Sequence, residues 1–414
     1  MLTAVIKLLD IAARSLFVLI ALYSLHARSS GQFGLVLTLI GLFGFLSGFE
    51  RYVDLQRMLV GKAVEEVDRL IFSALRFFLA NYLIWLPILA ALLYGWGDLS
   101  IFAVSLCLLI AVGEHLANEF YRMALITQRH RSVLLVGVIK NLMLCGVVAY
   151  AALTKSWHYD FNQLLELWAS MSLLGLLVSA FVFIRASAPR QRLVQGALDA
   201  VHGQYRRSAT HFVVGLLAVL SLQADRLVAG GLLSLEDSGV YFRHIFLAIS
   251  AYQVLGVISF NRVMPKVYSS IRGGDLPTAM MLIRRERLVY VSLTLLMMIL
   301  VLLTGLPRIN EMPAVRDIVQ SYLILLLLAY LIRGGADYNA MVLNALYLEG
   351  DVLRALSISV GLSIALSVML TMHLGLPGLL VTVFIAATIY FILTSIFSSR
   401  ALKQEKAILS RMAS

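Results

Sequence analysis

Charged residues stand inside several of the most apolar segments of this chain. The stretch LSLQADRLVAGGLLSLEDSGVY, residues 220–241, opens with a segment long enough to cross a bilayer that carries Asp225 and Arg226 in its body. Placing one such charge near a bilayer centre costs about 3 kcal/mol or more. Neighbouring helical residues point about 100° apart, so these two cannot form the usual pair across one turn. At least one of them is expected to face another helix or water.

Similar charges occur in other apolar segments. Lys7, Asp10 and Arg14 share one helix face, because their spacing is i, i+3 and i+7. Further along the chain come the polar stripe Glu114, His115, Asn118, Glu119 and Arg122, then Lys140 beside Asn141, then Arg333, Asp337 and Asn344, with Arg76 and Arg243 in two more segments. Intramembrane ionisable residues usually face a bundle interior or a water-filled cavity, where they mark a substrate or ion pathway.

Two interpretations of these charges remain open. In the structural one, pairs within a helix, such as Asp10 with Arg14, Glu119 with Arg122 and Arg333 with Asp337, only neutralise each other, and basic side chains near segment ends extend to the head groups. In the functional one, basic residues line an aqueous cavity between two lobes and make it net positive. Those residues are Arg14, Arg76, Lys140, Arg226, Arg243 and Arg333. Arginine binds phosphate through two parallel hydrogen bonds, so this cavity predicts an anionic substrate.

The acidic residues of the same segments have two alternative roles. They are either counter-ions for the basic residues or sites that bind H⁺ or Na⁺ and couple transport to an ion gradient. The residues concerned are Asp10, Glu114, His115, Glu119, Asp225 and Asp337. Glu114 lies near the middle of its segment beside His115, which makes it the proton site under the second hypothesis.

Composition places the chain among all-α polytopic membrane proteins. Of 414 residues, 60% are hydrophobic and 14% charged, with a mean hydropathy of +0.88. About 20 apolar residues cross a bilayer as a helix. This length predicts twelve transmembrane helices at 3–24, 32–53, 70–94, 99–125, 132–153, 164–184, 208–233, 238–264, 283–306, 318–345, 352–374 and 376–399. The even-numbered connections and the tail hold 16 Lys and Arg, with four more in the first residues of the ninth and eleventh spans, against 4 in the odd-numbered connections, which predicts that both termini are cytoplasmic.

The chain divides near its middle into two halves of six predicted spans. Ser30-Gly31-Gln32-Phe33 follows the first span, and Ser238-Gly239-Val240-Tyr241 follows the seventh. This repetition predicts an N-terminal lobe at 1–184, a basic cytoplasmic linker at 185–207, a C-terminal lobe at 208–399 and a cytoplasmic tail at 400–414. Internal repeats are common in secondary transporters, where the substrate path lies at the repeat interface.

The sequence carries no pattern typical of an enzyme or a metalloprotein. Cys107 and Cys145 both lie within apolar segments, so they predict neither a disulfide nor a metal site. A Gly-rich nucleotide loop, a cluster of metal ligands and a nucleophile constellation are all missing from the sequence. We therefore expect no enzymatic activity, no cofactor and no metal. The net charge of +11 indicates membrane orientation rather than nucleic-acid binding.

Three motifs resemble those of a known family. The first is Ser30-Gly31-Gln32-Phe33-Gly34, with LTLIGLFGFLSGFERY after it. The second is DRLVAGGLLSLEDSGVY, and the third is ISFNRVMPKV, with Pro265 at the close of the eighth span. They are similar to polysaccharide flippases of the Wzx type, which belong to the MOP (multidrug/oligosaccharidyl-lipid/polysaccharide) exporter superfamily. The resemblance covers the chain from end to end in layout. It maps the family's aspartate of the seventh span onto Asp225, and the family's basic residues correspond in kind to Arg14 and Arg333.

The resemblance implies a function and partners. Two six-helix lobes of the MOP/MATE type would alternate access for a lipid-linked oligosaccharide, usually on undecaprenyl diphosphate. The substrate would move from the cytoplasmic to the periplasmic leaflet of a bacterial inner membrane, for lipopolysaccharide or exopolysaccharide biosynthesis. We expect a monomer among membrane lipids that couples transport to H⁺ or Na⁺. Its expected partners are a polysaccharide polymerase and a chain-length regulator. Peptidoglycan-precursor flippases have more spans than this chain has room for, which counts against lipid II.

The alternatives belong to other classes. A MATE-like multidrug or cation antiporter needs an acidic, aromatic cavity, whereas the intramembrane charges here are mainly basic. A membrane polymerase or ligase of glycans needs a large periplasmic loop, and the longest odd-numbered connections have only about ten residues. A structural membrane protein without substrate has no need of charges in so many spans, because helix packing does not require them.

Overall fold

The computed structural model describes residues 2–52, 55, 64–126, 130–154, 160–185, 198–305 and 313–413. This part of the chain is all-helical and contains no strand, which confirms the predicted fold class. Twelve helices of 22 to 38 residues follow one another. They are α1 (Leu2–Ser24), α2 (Ala27–Gly48), α3 (Val64–Gly97), α4 (Ile101–Ile126), α5 (His130–Thr154), α6 (Phe161–Arg185), α7 (Leu198–Leu232), α8 (Leu235–Arg272), α9 (Leu276–Gly305), α10 (Pro313–Ala345), α11 (Glu349–Leu374) and α12 (Leu376–Ala413).

Within the described residues, nine of these helices are long and apolar enough to cross a bilayer. The chain is therefore a multi-pass membrane protein. Helices α1, α8 and α9 are outside this set, so the number of twelve spans stays a prediction. In α1 the charged residues Lys7, Asp10 and Arg14 lower the apolar character of the helix. The side chain of Lys7 is not among those that the structure describes.

Two helices extend beyond their predicted spans. Helix α7 begins at Leu198, so helical structure covers the second part of the predicted linker, whose residues 186–197 lie outside the described part. Helix α8 continues through Pro265 as far as Arg272. A proline removes one backbone hydrogen bond and strains the preceding turn. Val267 and Ile271 beyond it are buried in a core cluster with residues of α9 and α10, and this burial stabilises the extension.

The contacts divide the chain into two compact units. The first unit contains Met1–Val219 and Ser234–Val240, and the second contains Leu220–Leu233 and Tyr241–Ser414. In the first unit the main packing partners are α1 with α5 and α4 with α6, while α2 contacts α3 and α4. In the second unit α12 packs on α10 and α11, and α9 packs on α10.

The starts of α2 and α8 touch through two glycines of the first unit. A Cβ atom on Gly31 would lie 2.0 Å from the Leu235 carbonyl oxygen, and one on Gly239 would lie 1.9 Å from the Ala27 carbonyl oxygen. The two repeated Ser-Gly motifs are therefore in direct backbone contact. Beside them the Arg28 guanidinium lies 2.6 Å from the Asp98 carboxylate. Any side chain larger than hydrogen at either glycine would push these helix starts apart.

Helix α2 ends on two residues in the left-handed backbone region. Phe49 has φ 50° and Glu50 has φ 51°, although glycine is the usual residue there. The predicted second span ends at residue 53, which lies outside the described residues, whereas α2 ends at Gly48 and Arg51 and Tyr52 after it are helical again. The Phe49 ring stacks on Phe212 of α7, with ring centroids 4.0 Å apart and planes within 10°. This stacking holds Phe49 in a conformation that costs about 1–2 kcal/mol.

Candidate functional site

A cavity of about 410 Å³ lies within the first unit. Its walls come from α1, α2, α4, α5 and α6, together with Glu50 just after α2 and Val219 of α7. The charged residues that line it are Arg14, Arg122 and Lys140 among the bases and Asp10, Glu50 and Glu114 among the acids, with His115 and the uncharged Asn118 and Asn141. Formal charges on this wall therefore balance. The predicted net-positive cavity shared by two lobes stays a prediction.

Glu114 and Lys140 form a closed ion pair in the cavity wall. The Lys140 Nζ lies 2.6 Å from Glu114 Oε1, and the two side chains are 9% and 15% exposed. The same oxygen accepts hydrogen bonds from Trp168 Nε1 at 3.1 Å and Ser172 Oγ at 2.7 Å. A Cβ on Gly175 would lie 2.8 Å from Lys140 Cδ, so glycine leaves the room for the lysine stem. Glu114 therefore has the position of a counter-ion for Lys140.

Arg14 has no such partner. It lines the same cavity, is exposed, and makes no hydrogen bond or ion pair with any residue that the structure describes. Its neighbour in the sequence-based pairing, Asp10, instead accepts a hydrogen bond from Asn141 Nδ2 at 2.7 Å. Arg14 attracts the Glu114 carboxylate electrostatically, but its guanidinium donors make no hydrogen bond with a described residue, so they are available to an anion in the cavity.

In the rest of the polar stripe on α4, His115 and Glu119 are buried, whereas Arg122 is partly exposed. Arg122 donates a hydrogen bond to Glu119 Oε1 at 2.7 Å, and its guanidinium lies 5.4 Å from the centre of the Tyr52 ring. His115 Nδ1 lies 2.6 Å from the Tyr82 hydroxyl. The i, i+3 pair of Glu119 and Arg122 corresponds to one of the intrahelical pairs expected from spacing. Arg122 is thus held by an acid, as Lys140 is.

The second unit holds a much smaller cavity. Its volume is about 30 Å³, room for about one or two water molecules. Arg333 lines it and donates a hydrogen bond to Ser221 Oγ at 2.9 Å. The same guanidinium lies 3.5 Å from Asp337 and 4.2 Å from the centre of the Tyr390 ring. Asp337 also accepts a hydrogen bond from the Tyr252 hydroxyl. Arg333 is therefore enclosed by partners.

Asp225 and Arg226 are both buried and point to different partners. Asp225 lines the small cavity and accepts a hydrogen bond from the Tyr241 hydroxyl. Arg226 donates to the Leu222 carbonyl oxygen at 3.0 Å, and its guanidinium lies 5.0 Å from the centre of the Phe246 ring. Their divergence agrees with the argument from helix geometry that adjacent residues cannot pair.

The structure does not bring all the predicted site residues together. Arg14, Lys140, Asp10, Glu114 and His115 share the first cavity, with Glu119 beside Arg122 in its wall. Asp225 and Arg333 share the small cavity of the second unit, with Arg226 and Asp337 next to them. Arg76 is exposed on α3 and Arg243 is half-buried on α8; neither lines a cavity described here.

Several residues of both sites carried no signal in the sequence. Tyr82, Trp168 and Ser172 in the first unit and Ser221, Tyr252 and Tyr390 in the second all contact charged groups. Their hydroxyl and indole groups are ordinary in membrane helices, and only Trp168 and Ser172 share a face through i, i+4 spacing. Glu50 lies within the predicted second span, and the sequence gives no sign that it lines the cavity.

The fold is shared with solved structures of membrane transporters. Among solved structures, an inward-facing multidrug resistance MATE family transporter of that superfamily matches with a TM-score of 0.71 and 12% identity, covering 97% of this chain and 96% of the other. The lipid II flippase MurJ in an inward closed conformation matches with a TM-score of 0.67 and 12% identity, covering 98% and 92%. An outward-facing MATE transporter has a TM-score of 0.61. These neighbours are transporters and a flippase, and at such identities they establish the fold alone.

No known protein family and no curated protein matches the sequence. The predicted MOP-type architecture is confirmed at the level of the fold, while the more specific resemblance to polysaccharide flippases stays a prediction. Within the described residues, no cluster of three or more potential metal ligands occurs.

Proposed function

We propose that this protein is a flippase for an anionic lipid-linked oligosaccharide, carried on undecaprenyl diphosphate. Two lobes, residues 1–184 and 208–399, would alternate access and move the substrate from the cytoplasmic to the periplasmic leaflet of a bacterial inner membrane. The route supplies surface polysaccharide biosynthesis, beside a polymerase and a chain-length regulator. The observation that carries the proposal is Arg14, a cation that faces a cavity of about 410 Å³ and makes no hydrogen bond or ion pair with a described residue, although Glu114 attracts it electrostatically.

The pairing of the other cations gives Arg14 its importance. Lys140 is held by Glu114 and Arg122 by Glu119, so neither is available to an anion without breaking an ion pair. Removing a partner from the buried pair of Lys140 and Glu114 costs about 3–5 kcal/mol. The cost is smaller for Arg122, which is 35% exposed, because solvent screens that pair. Arg14 engages a phosphate without that cost. The head group is therefore expected to bind at Arg14, with the sugars toward the polar groups Asn118 and Asn141.

Arg14→Gln is expected to weaken binding of inorganic diphosphate roughly 10- to 100-fold, because hydrogen bonds between charged groups contribute about 1.5–3 kcal/mol. Calorimetry on the purified protein measures the affinity. In cells, a strain that carries only Arg14→Gln should accumulate a lipid-linked oligosaccharide on the inner leaflet, detectable by lipid extraction. Arg354→Gln, an exposed arginine of α11 whose side chain is 76% exposed, serves as the matched control.

A MATE-like cation antiporter is the second candidate, since three acids line the same cavity and the fold is shared. Glu50→Gln separates the two. Loss of this carboxylate makes the wall more positive, so a flippase for anions should bind diphosphate more tightly, whereas a cation exporter should lose transport of an organic cation. Unchanged diphosphate affinity in Arg14→Gln, together with loss of cation transport in Glu50→Gln, would contradict the flippase proposal.

A further inference from the structure

One buried ring nitrogen of His115 has no hydrogen-bond partner. The residue is 4% exposed and lines the cavity of the first unit. Its Nδ1 is bonded to the Tyr82 hydroxyl, while Nε2 contacts no donor or acceptor in the described part of the chain. Leaving such a buried polar atom unpaired costs about 1–3 kcal/mol. The unpaired atom therefore indicates a site that a further group completes.

Glu119 lies beside this nitrogen. A Cβ atom on Gly48 would lie 3.2 Å from His115 Nε2 and 3.8 Å from Glu119 Oε1, so the two atoms are at most 7.0 Å apart. They border one small space that exists because residue 48 is glycine. His115 and Glu119 are also i, i+4 on α4, the spacing at which helical side chains meet. At this spacing a change of side-chain torsion in Glu119 is the movement that would bring its carboxylate to Nε2.

Glu119 is at present committed to Arg122. Its side chain is 1% exposed and accepts a hydrogen bond from the guanidinium at 2.7 Å. Arg122 itself is 35% exposed, lines the cavity and lies over the Tyr52 ring. Releasing Arg122 from Glu119 would therefore give the cavity a second free cation next to Arg14.

We propose that His115 is a proton-binding site linked to anion binding in this cavity. In the tautomer whose Nδ1–H donates to the Tyr82 hydroxyl, Nε2 carries the free lone pair. A proton from water binds that Nε2, the imidazolium takes Glu119 as its partner, and Arg122 turns to a phosphate of the substrate. Glu119 stays a carboxylate and Arg122 keeps its charge, so the cavity gains one positive charge per proton. The inference rests on the proposed function for the identity of the anion. The exchange of partners at Glu119 is independent of that function.

The surroundings explain why proton and anion bind together. Burial disfavours the imidazolium, and Arg122 beside Glu119 disfavours it further as long as that pair is intact. The titratable and charged groups around the ring are Tyr82 from α3, Glu50 after α2, Glu114, Glu119 and Arg122 on α4, Asp10 and Arg14 on α1 and Lys140 on α5. Glu114 is already paired with Lys140. An anion that draws Arg122 away removes the obstacle, and linkage requires that the proton raise anion affinity by the same factor.

The first test needs no ligand. Arg122→Gln removes the cation from Glu119, so His115 should become protonated as the pH falls from about 8 to about 5, the range of ordinary histidine titration. In the wild type it should stay neutral. Nuclear magnetic resonance of ¹⁵N-histidine-labelled protein measures this, with the His115 signal assigned by its loss in His115→Gln. The double variant Arg122→Gln/Glu119→Gln should return His115 to the neutral form. A neutral His115 at pH 5 in Arg122→Gln would overturn the proposal.

The second test uses inorganic diphosphate and calorimetry in two buffers of different ionisation enthalpy. Wild type should take up about one proton more per bound diphosphate than His115→Gln does, since that variant lacks the site. Equal proton uptake would disprove the linkage. If neither protein binds diphosphate, the anion site of the proposed function fails, while the measurement on Arg122→Gln still decides whether His115 is the proton site.

Discussion

Gly31→Ala is expected to lower the stability of the protein by roughly 1–3 kcal/mol and to abolish transport. The added methyl group would stand 2.0 Å from the Leu235 carbonyl oxygen, where no flexible side chain can move aside. The start of α2 must therefore shift away from residues 234–240, and the Arg28 ion pair with Asp98 beside it is strained. Thermal unfolding of the purified protein should show a midpoint several degrees lower.

A matched control is Gly146→Ala on α5, where a Cβ atom meets nothing within 4 Å. That change should be neutral or stabilise the helix by up to about 1 kcal/mol, because alanine favours helix. Gly239→Ala should behave as Gly31→Ala does. The double variant should cost less than both losses together, since the glycines share one contact. Equal midpoints for Gly31→Ala and Gly146→Ala would show that the close contact does not exist in the protein.

Lys140→Met is expected to cost about 3–5 kcal/mol of folding free energy, because it breaks a buried ion pair. It leaves the buried Glu114 carboxylate with the neutral donors Trp168 and Ser172 as hydrogen-bond partners, and with only the more distant Arg14 to attract its charge. The double variant Lys140→Met/Glu114→Gln removes both charges and should recover most of the stability. Unfolding midpoints of the four proteins form a double-mutant cycle.

The same cycle separates two roles of Lys140. If the lysine serves only Glu114, the double variant should fold and transport. If the lysine also binds the anionic substrate, the double variant should fold but lose transport. A double variant as unstable as Lys140→Met would show that the ion pair is not what makes that substitution costly.

The long apolar segments make the helices predictable from the sequence, whereas the contacts between helices are not predictable from it. The pairs Glu119 with Arg122 and Arg333 with Asp337 follow from spacing within one helix, and both exist in the structure. Lys140 with Glu114 joins α5 to α4, and Asn141 with Asp10 joins residues 131 positions apart. Such pairs depend on how helices pack, and a single sequence contains no local pattern for that. For the same reason the sequence does not show that Arg14 makes no hydrogen bond or ion pair with the residues that the structure describes.

Helix ends were predictable only where a local signal exists. Gly48 in SGFERY is a usual helix stop, yet the left-handed residues are Phe49 and Glu50, which sequence rules place in ordinary helix or strand. What stabilises them is the ring of Phe212, distant in the chain. Likewise Pro265 marks a break by local rules, but burial of Val267 and Ile271 keeps the helix going.

The stack of Phe49 on Phe212 also determines where Glu50 stands. The backbone after α2 is strained at Phe49 and Glu50, which both have positive φ. The stacking of Phe49 on the Phe212 ring of α7 offsets this strain and keeps the turn in place. A Cβ atom on Gly215, one turn further along α7, would lie 3.0 Å from Glu50 Cγ, so the acid rests directly on that helix. A small displacement of α7 would thus be transmitted mechanically to one charge on the cavity wall.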